Sequence, residues 1–309
     1  MIVTSGWART ALSHRIRTGI PRRRPGKLIA ELAGPRTARE ESRLHARRGH
    51  ERKRAAGGGP GHEPVLTDRV IATLVILRFQ LPHAALALFY GVHRSTITRA
   101  VHEVRPLLAS RGFAVPGRPG LRLRTLADVF ACAASRGVEL RIDGTGVRVR
   151  RPRPHRPGRR AFVCGTMKQN TKKTAVISDD KGRTLWTGAV RPGRMHDQTA
   201  LKTEGIGDPF EQYPQVKAKV DAGYRGLAKQ FPDQVTAPPL KPKKDAPPEE
   251  TAAWEEARKK WSCERIPAGH ANAGQKQWRP LQRWIGRREY FDETHLAIAG
   301  LVSDRTAER

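Results

Sequence analysis

A formal net charge of +30, from 59 Lys and Arg against 29 Asp and Glu, constrains this 309-residue chain more than any other feature. Such a field repels itself unless a polyanion neutralises it, and nucleic acid is the commonest polyanion in a cell. An arginine-rich genome that raises the basic count everywhere is the competing explanation; clustering of the charge along the chain favours the first. Aromatic residues make up only 6%, too few for a platform on which single-stranded bases stack. The expected partner is therefore double-stranded DNA, read through its backbone and grooves. Hydrophobic residues, at 38%, allow a buried core, and the length suits roughly two domains. Cys132, Cys164 and Cys263 are far apart and in no paired-ligand spacing, which fits a reducing compartment and no structural zinc. The N-terminus has charge but no apolar signal segment, and the most apolar run, Val70 to Leu77, is too short to span a bilayer. A soluble, cytoplasmic, DNA-associated protein with no membrane contact is expected.

Residues 1–61 read as a basic leader, partly disordered, with Arg22, Arg23 and Arg24 between prolines and a charged run from Arg47 to Arg54. Gly57-Gly58-Gly59-Pro60 closes it as a flexible break. One short helix is expected over Lys27 to Ala33, stopped by Gly34 and Pro35. The leader reads either as a solvated arm or as a non-specific phosphate clamp, and the two are compatible. From Thr67, the spacing of Val70, Ile71, Leu74, Val75 and Arg78 predicts an amphipathic helix. A second helix runs from Pro82 to Tyr90 and ends at Gly91; a third runs from Ser95 to about Arg105, with Pro106 as its stop. Residues 113–136 read as linker and helix.

Beyond Gly137 the texture changes to short strands. Val138–Asp143 is expected to pair with Val147–Arg151, followed by Ala161–Gly165, Thr174–Ser178 and Trp186–Val190 as an antiparallel set. A helix over His196–Thr203, strands at Val216–Asp221 and Gln234–Ala237, and helices over Glu249–Ser262 and from His270 onward complete an α/β or α+β layer fold.

The helices within 62–112 have the composition of a helix-turn-helix. Leu86, Tyr90, Val92, Ile97 and Ala100 fall where the two helices pack, with Gly91 at the turn. The opposite face carries Arg94, Ser95, Thr98, Arg99 and His102, which can donate to phosphates or base edges in a major groove. An ordinary helical hairpin in a small core is the alternative, disfavoured by that basic face.

Two aspartates stand at strand ends: Asp143 before Gly144-Thr145, and Asp221 before Ala222-Gly223. Phosphodiester cleavage by divalent metals needs carboxylates that converge on one point, and a strand end followed by glycine holds a carboxylate beside open space. Either aspartate taken alone could equally form a turn.

Ile142-Asp143-Gly144-Thr145, Val190-Arg191-Pro192-Gly193 with His196-Asp197, and Asp221-Ala222-Gly223-Tyr224-Arg225-Gly226 resemble the motifs of DDE-type transposases of bacterial insertion sequences. The resemblance is in particular to the insertion-sequence-five group. Arg265-Ile266-Pro267, His270-Ala271-Asn272-Ala273, Gln277-Trp278-Arg279, Gly286-Arg287-Arg288-Glu289 and Ala299-Gly300-Leu301-Val302 resemble the family's C-terminal block. The resemblance implies an α/β, RNase H-like catalytic core over 137–309, a mixed sheet flanked by helices, preceded by a small all-α helix-turn-helix domain. It implies a site of two aspartates and a glutamate that binds two Mg²⁺ (or Mn²⁺) ions, at which water cuts the element's end and the freed 3′-hydroxyl attacks target DNA. Asp143 and Asp221 carry over as catalytic and metal-binding residues. The glutamate does not: its position, directly before His270-Ala271, is Gly269, and Gly146 and Gly274 also stand where relatives tend to have Glu. This is the pattern of an inactivated copy. Glu264 is the remaining candidate third acid; on a helix it lies about 140° around the axis from position 269, so it serves only if the segment is non-helical at Pro267.

Arg148, Arg150, Arg151, Arg153, Arg156, Arg159 and Arg160 form a proline-punctuated basic hairpin after the first aspartate. Arg148 and Arg150 are expected to contact phosphate, with Lys168, Lys172 and Lys173 tracking the strand. His196-Asp197 either supports the site or caps a helix. Trp278, Trp284 and Tyr290 suit helical core packing, and Lys241 to Glu250 reads as an exposed loop. The expected function is an insertion-sequence transposase that binds transposon ends and target DNA as a homo-oligomer and performs metal-dependent strand cleavage and transfer, impaired by Gly269. The alternative is a non-catalytic DNA-binding protein, a relic or a regulator. A plain helix-turn-helix transcription factor leaves the C-terminal two-thirds unexplained.

Overall fold

The computed structural model describes residues 5–21, 23–51, 64–151 and 158–308. The chain divides into two compact units: one runs up to Arg111 and includes Trp278–Pro280 and Glu293–Leu301, and the other holds the remainder.

The first unit is helical. It comprises α1 (Ser5–Leu12), α2 (Arg15–Thr18), α3 (Arg24–Arg48), α4 (Leu66–Phe79), α5 (His83–Tyr90) and α6 (Arg94–Ala109). Helix α4 is buried on every side from Val70 to Leu77, which departs from the amphipathic helix expected. The cause lies in the leader, where three helices form rather than one short one, and α1, α2 and α3 all pack on α4. Ala8 and Leu12 enter the same apolar cluster as Ile71, Val75, Leu86, Tyr90, Ile97 and Val101. A paired charge accompanies them: Arg9 holds Asp68 with two hydrogen bonds of 2.8 Å, and the Asp68 side chain is only 3% exposed. A buried carboxylate is tolerable only when partnered in this way.

Helix α3 does not stop at Gly34 and Pro35. It continues to Arg48 and ends on Gly49, because a proline removes one helical hydrogen bond without preventing packing on either side. Leu28 and Leu32 are buried before it, and Arg36 beyond it pairs with Glu103 of α6, which also receives Arg69 of α4. Helix α6 likewise runs through Pro106, held by Arg105 on Glu293 at 3.0 Å.

The second unit is built on a mixed sheet. In chain order it contains β1 (Phe113–Ala114), β2 (Arg122–Leu123), α7 (Leu126–Arg136), β3 (Leu140–Val149), β4 (Thr171–Ser178), β5 (Thr184–Thr187) and β6 (Arg191–Pro192). There follow α8 (Asp197–Glu204), α9 (Asp208–Gln212), β7 (Ala218–Val220), α10 (Arg225–Gln230), β8 (Val235–Thr236), α11 (Pro248–Lys276), α12 (Arg279–Gln282), β9 (Arg283–Trp284) and α13 (Phe291–Ala307), the last running through both units. The main sheet has the order β5-β4-β3-β7-β8, with β6 on β4 and β9 on β3. The strands β3, β4 and β5 pair antiparallel, whereas β3–β7 and β7–β8 are parallel. This is the α/β, RNase H-like arrangement expected, a mixed sheet flanked by helices.

Three local expectations are corrected. Val138–Asp143 and Val147–Arg151 are not two paired strands but one strand of 10 residues, β3. The chain does not turn between them, because Gly144 and Gly146 pair in register with β4, opposite Ala175 and Lys173. Ala161–Gly165 is no regular strand: Arg159–Phe162 is a 3-10 turn, and only Val163 bridges, to Asn170. The helices placed on either side of Pro267 are a single helix of 29 residues, α11, whose buried Trp261, Ala268, Ala271 and Gly274 continue across the proline. Of the expected core aromatics, Trp278 and Trp284 are buried; Tyr290 sits half-buried in a short 3-10 turn.

His295, in the part of α13 that joins the first unit, is fully buried, and burial pushes its pKa down to about 4. It is neutral in the native state, whereas the unfolded chain protonates it below about 6.5. Stability should therefore fall as pH drops from about 6.5 towards 4, by up to about 1.4 kcal/mol per pH unit from this group. Chemical denaturation at pH 7 and pH 5 checks this, and His295→Gln should flatten the difference.

Candidate active site

The register of two parallel strands brings the aspartates together. Ile142 of β3 pairs with Val220 of β7, so the next residue on each, Asp143 and Asp221, stand side by side about 5 Å apart at the backbone. Both carboxylates have partners within the chain. Asp143 Oδ1 accepts from the Gly144 N–H at 2.8 Å, and its Oδ2 accepts from Asn272 Nδ2 at 3.0 Å. Arg265 spans the pair, with Nη2 at 3.2 Å from Asp143 and Nη1 at 2.7 Å from Asp221. The Asp143 side chain is 16% exposed and that of Asp221 41%. Burial raises the pKa of Asp143, opposed by Arg265 and the Gly144 amide and reinforced by Asp221.

Arg265 and Asn272 both come from α11, seven residues and two helical turns apart. Gly269 lies between them, about 40° from Arg265 around the axis and one turn from each. A Cβ built there would meet nothing within 4 Å. The position directly before His270 thus lies on the side of α11 that carries Arg265 and Asn272, opens onto free space and holds no side chain.

Glu264 is not brought to the pair. It sits about 100° around α11 from Arg265 and accepts from Lys219 Nζ at 2.6 Å; that bond holds its carboxyl below the ordinary glutamate range. Because α11 is unbroken at Pro267, the condition under which Glu264 could serve is not met. Among the described residues no group of three or more His, Cys, Asp or Glu converges as a metal cluster. Two adjacent carboxylates are the right donors for one hard divalent cation.

Tyr224 packs against Gly144, on the face of β3 opposite the Asp143 side chain. Its hydroxyl lies 2.9 Å from where a Cβ on Gly144 would stand, so only glycine allows this approach at position 144. Burial, then Asp197, Asp143 and Asp221, push the phenol's pKa up and keep it protonated. Asp197 pairs with Lys173 at 2.7 Å, while His196 caps α8 by accepting from the Gln198 N–H, so the capping reading of that dipeptide holds for His196. Lys172 pairs with Asp292 at 2.7 Å and lies over the Phe291 ring. Arg148 and Arg150 are exposed, Arg148 on the same open face of β3 as Gly144 and Gly146. Arg153 and Arg156 lie outside the described residues.

The helix-turn-helix forms from α5 and α6, with Gly91 between them at φ 61°. Leu86, Tyr90, Ile97 and Ala100 are buried, and Val92 is packed against their cluster. Arg94, Arg99 and His102 are exposed, with Ser95 and Thr98 half-buried on the same face. That face is internally braced: Arg99 donates to Ser95 Oγ at 3.1 Å, and Thr98 shares a 2.8 Å hydrogen bond with His83 of α5.

Known proteins match this chain over both parts of its length. A family model described as the DDE superfamily endonuclease matches residues 142–302, just over half of the chain, and one described as the helix-turn-helix of DDE superfamily endonuclease matches residues 65–114. The chain belongs to the DDE superfamily endonucleases. It is also similar to the "Probable transposase for insertion sequence element IS702" of Microchaete diplosiphon, 25% identical over 173 residues, which are 55% of this chain and 57% of that protein. The chain thus spans somewhat over half the length of that curated relative. Among solved structures, the Mos1 transposase paired-end complex with left transposon end matches over 84% of this chain and 86% of its own, at 11% identity and a TM-score of 0.19. The Mos1 mariner paired-end complex with Mn covers 89% and 98%, at 11% and 0.20. Scores this low are no sign of a shared backbone arrangement.

For this DDE endonuclease chain, sequence reasoning quoted Arg265 and Asn272 only within family motifs and gave neither a role at the pair. The signal was present as the seven-residue spacing of Arg265 and Asn272, but it becomes legible only once the helix is known to continue through Pro267. Asn272→Leu should leave Asp143 without one donor and lower stability by about 1–3 kcal/mol. Chemical denaturation measures the loss, and an unchanged midpoint would show that the hydrogen bond does not hold the carboxylate in solution.

Proposed function

We propose that this chain is an insertion-sequence transposase of the insertion-sequence-five group, in which residues 62–112 bind double-stranded DNA at the element's ends and residues 137–309 act on the phosphodiester. The side-by-side placement of Asp143 and Asp221 carries the reading. These two residues would hold one divalent cation, Mg²⁺ or Mn²⁺, which when bound activates water and neutralises charge on the leaving oxygen. The chain's own groups do the rest. Asn272 and the Gly144 amide fix the Asp143 carboxylate in orientation, and the exposed Arg148 and Arg150 offer charge to the phosphate backbone. Residues 5–48 add basic helices to the DNA-binding part, and residues 113–136 connect the two. Transposon ends and target are the DNA substrates, engaged by a homo-oligomer.

A second reading is favoured by a specific observation. Gly269 presents no carboxylate between Arg265 and Asn272, and Glu264 is committed to Lys219. In this reading the chain still binds DNA but cuts slowly or not at all, as a relic or a regulator. A strand-cleavage assay on end-containing duplex with Mg²⁺ or Mn²⁺ separates the two. Gly269→Glu should raise cleavage by at least about 100-fold if the missing carboxylate is the defect, and Asp143→Ala in that background should abolish it. Robust wild-type cutting that Gly269→Glu fails to improve would rule out impairment.

The DNA-reading face has its own test. Arg94→Ala and Arg99→Ala should each weaken duplex binding and reduce the slope of log affinity against log salt by about one. Unchanged slopes in a titration from low to moderate salt would remove that face from the interface.

A further inference from the structure

Arg265 is placed unusually for a residue beside a metal-binding pair. Its guanidinium bridges both carboxylates, 2.7 Å from Asp221 and 3.2 Å from Asp143, and on each it takes the Oδ1 atom, a donor that a bridging cation would need. Asn272 and the Gly144 amide occupy further lone pairs of Asp143. The charge of the pair is thereby halved from within the chain. A guanidinium is always charged and presents its N–H groups in a planar fork, so it satisfies two neighbouring carboxylates at once. The Arg265 side chain is 29% exposed, so it can withdraw towards solvent along the open face left by Gly269.

We infer that Arg265 is a tethered counter-ion that competes with the divalent cation for Asp143 and Asp221, so that metal enters only as the guanidinium leaves. The inference rests on the metal reading given above and adds a regulator to it. Electroneutrality supplies the physics: with Arg265 in place the three groups carry a net −1, and an arriving dication meets a half-spent pair as well as a positive neighbour. A nearby phosphate is the natural alternative partner for a guanidinium. By reciprocity, DNA that draws Arg265 away raises metal affinity, and metal raises DNA affinity by the same factor.

The test is Mn²⁺ binding by the full-length chain, read from the electron paramagnetic resonance signal of free Mn²⁺ and needing no catalysis. Arg265→Gln should bind Mn²⁺ about tenfold or more tightly than wild type, and adding Asp143→Asn to it should erase the gain. Circular dichroism and thermal melting establish that each variant is folded. In the wild-type chain, the Arg265 Nε–H resonance, assigned by its loss in Arg265→Lys, should move on titration with Mg²⁺ alone. That measurement holds whether or not Arg265→Gln folds. Binding by Arg265→Gln that equals or falls below wild type, or an Nε–H resonance unmoved at saturating Mg²⁺, overturns the competition while leaving the metal reading intact. No Mn²⁺ binding at millimolar concentration in any variant overturns both.

Discussion

Two like charges held side by side are the constraint around which the second unit is arranged. Parallel pairing of β3 with β7 in the Ile142–Val220 register leaves no choice about where Asp143 and Asp221 go, and adjacent carboxylates repel unless a cation or donors compensate. The fold compensates from one direction, with α11 delivering a guanidinium to both acids and an amide to one. The sheet creates the electrostatic problem, and a helix distant in sequence solves it.

That solution depends on α11 being one continuous helix. Arg265, Gly269 and Asn272 share a face only because the helix continues through Pro267. A break there would rotate the two segments independently and separate Arg265 from Asn272. Continuity also sends Glu264 to a different side, towards Lys219. The proline lacks one hydrogen-bond donor, and the buried residues on both sides of it outweigh that loss. Pro106 in α6 shows the same balance, with Val104 and Leu107 buried on either side; beyond Pro35 in α3 the hold is the Arg36–Glu103 ion pair rather than burial. In all three cases a local breaker signal was real, and tertiary contacts overrode it.

The helical unit shows a related effect of context. Its cationic leader has low mean apolarity, yet Ala8, Leu12, Leu28 and Leu32 are buried. Spaced among arginines, they give little periodic signal. Their worth appears only when α4, apolar all round, needs covering. The charge on the same segments is placed by partners: Arg9 by Asp68, and Arg36 together with Arg69 by Glu103.

The amino-acid sequence alone determined what depends on residue type and short spacing. This covers the cationic balance, the helix–Gly91–helix reader with its apolar inner and basic outer face, the two strand-end aspartates, and the absence of an acid at position 269. Family resemblance extended these to a mixed α/β sheet, which the strand order bears out. Tertiary structure decided what depends on long-range register and on competition between local signals. It joined Val138–Asp143 and Val147–Arg151 into one strand, because β4 pairs across Gly144 and Gly146. It put Arg265 and Asn272 on Asp143 across more than a hundred residues, and it turned Glu264 away. Periodicity reports which face of an element is buried, but not which distant element buries it, so the identity of the group that bridges the acidic pair could be read only from the folded chain.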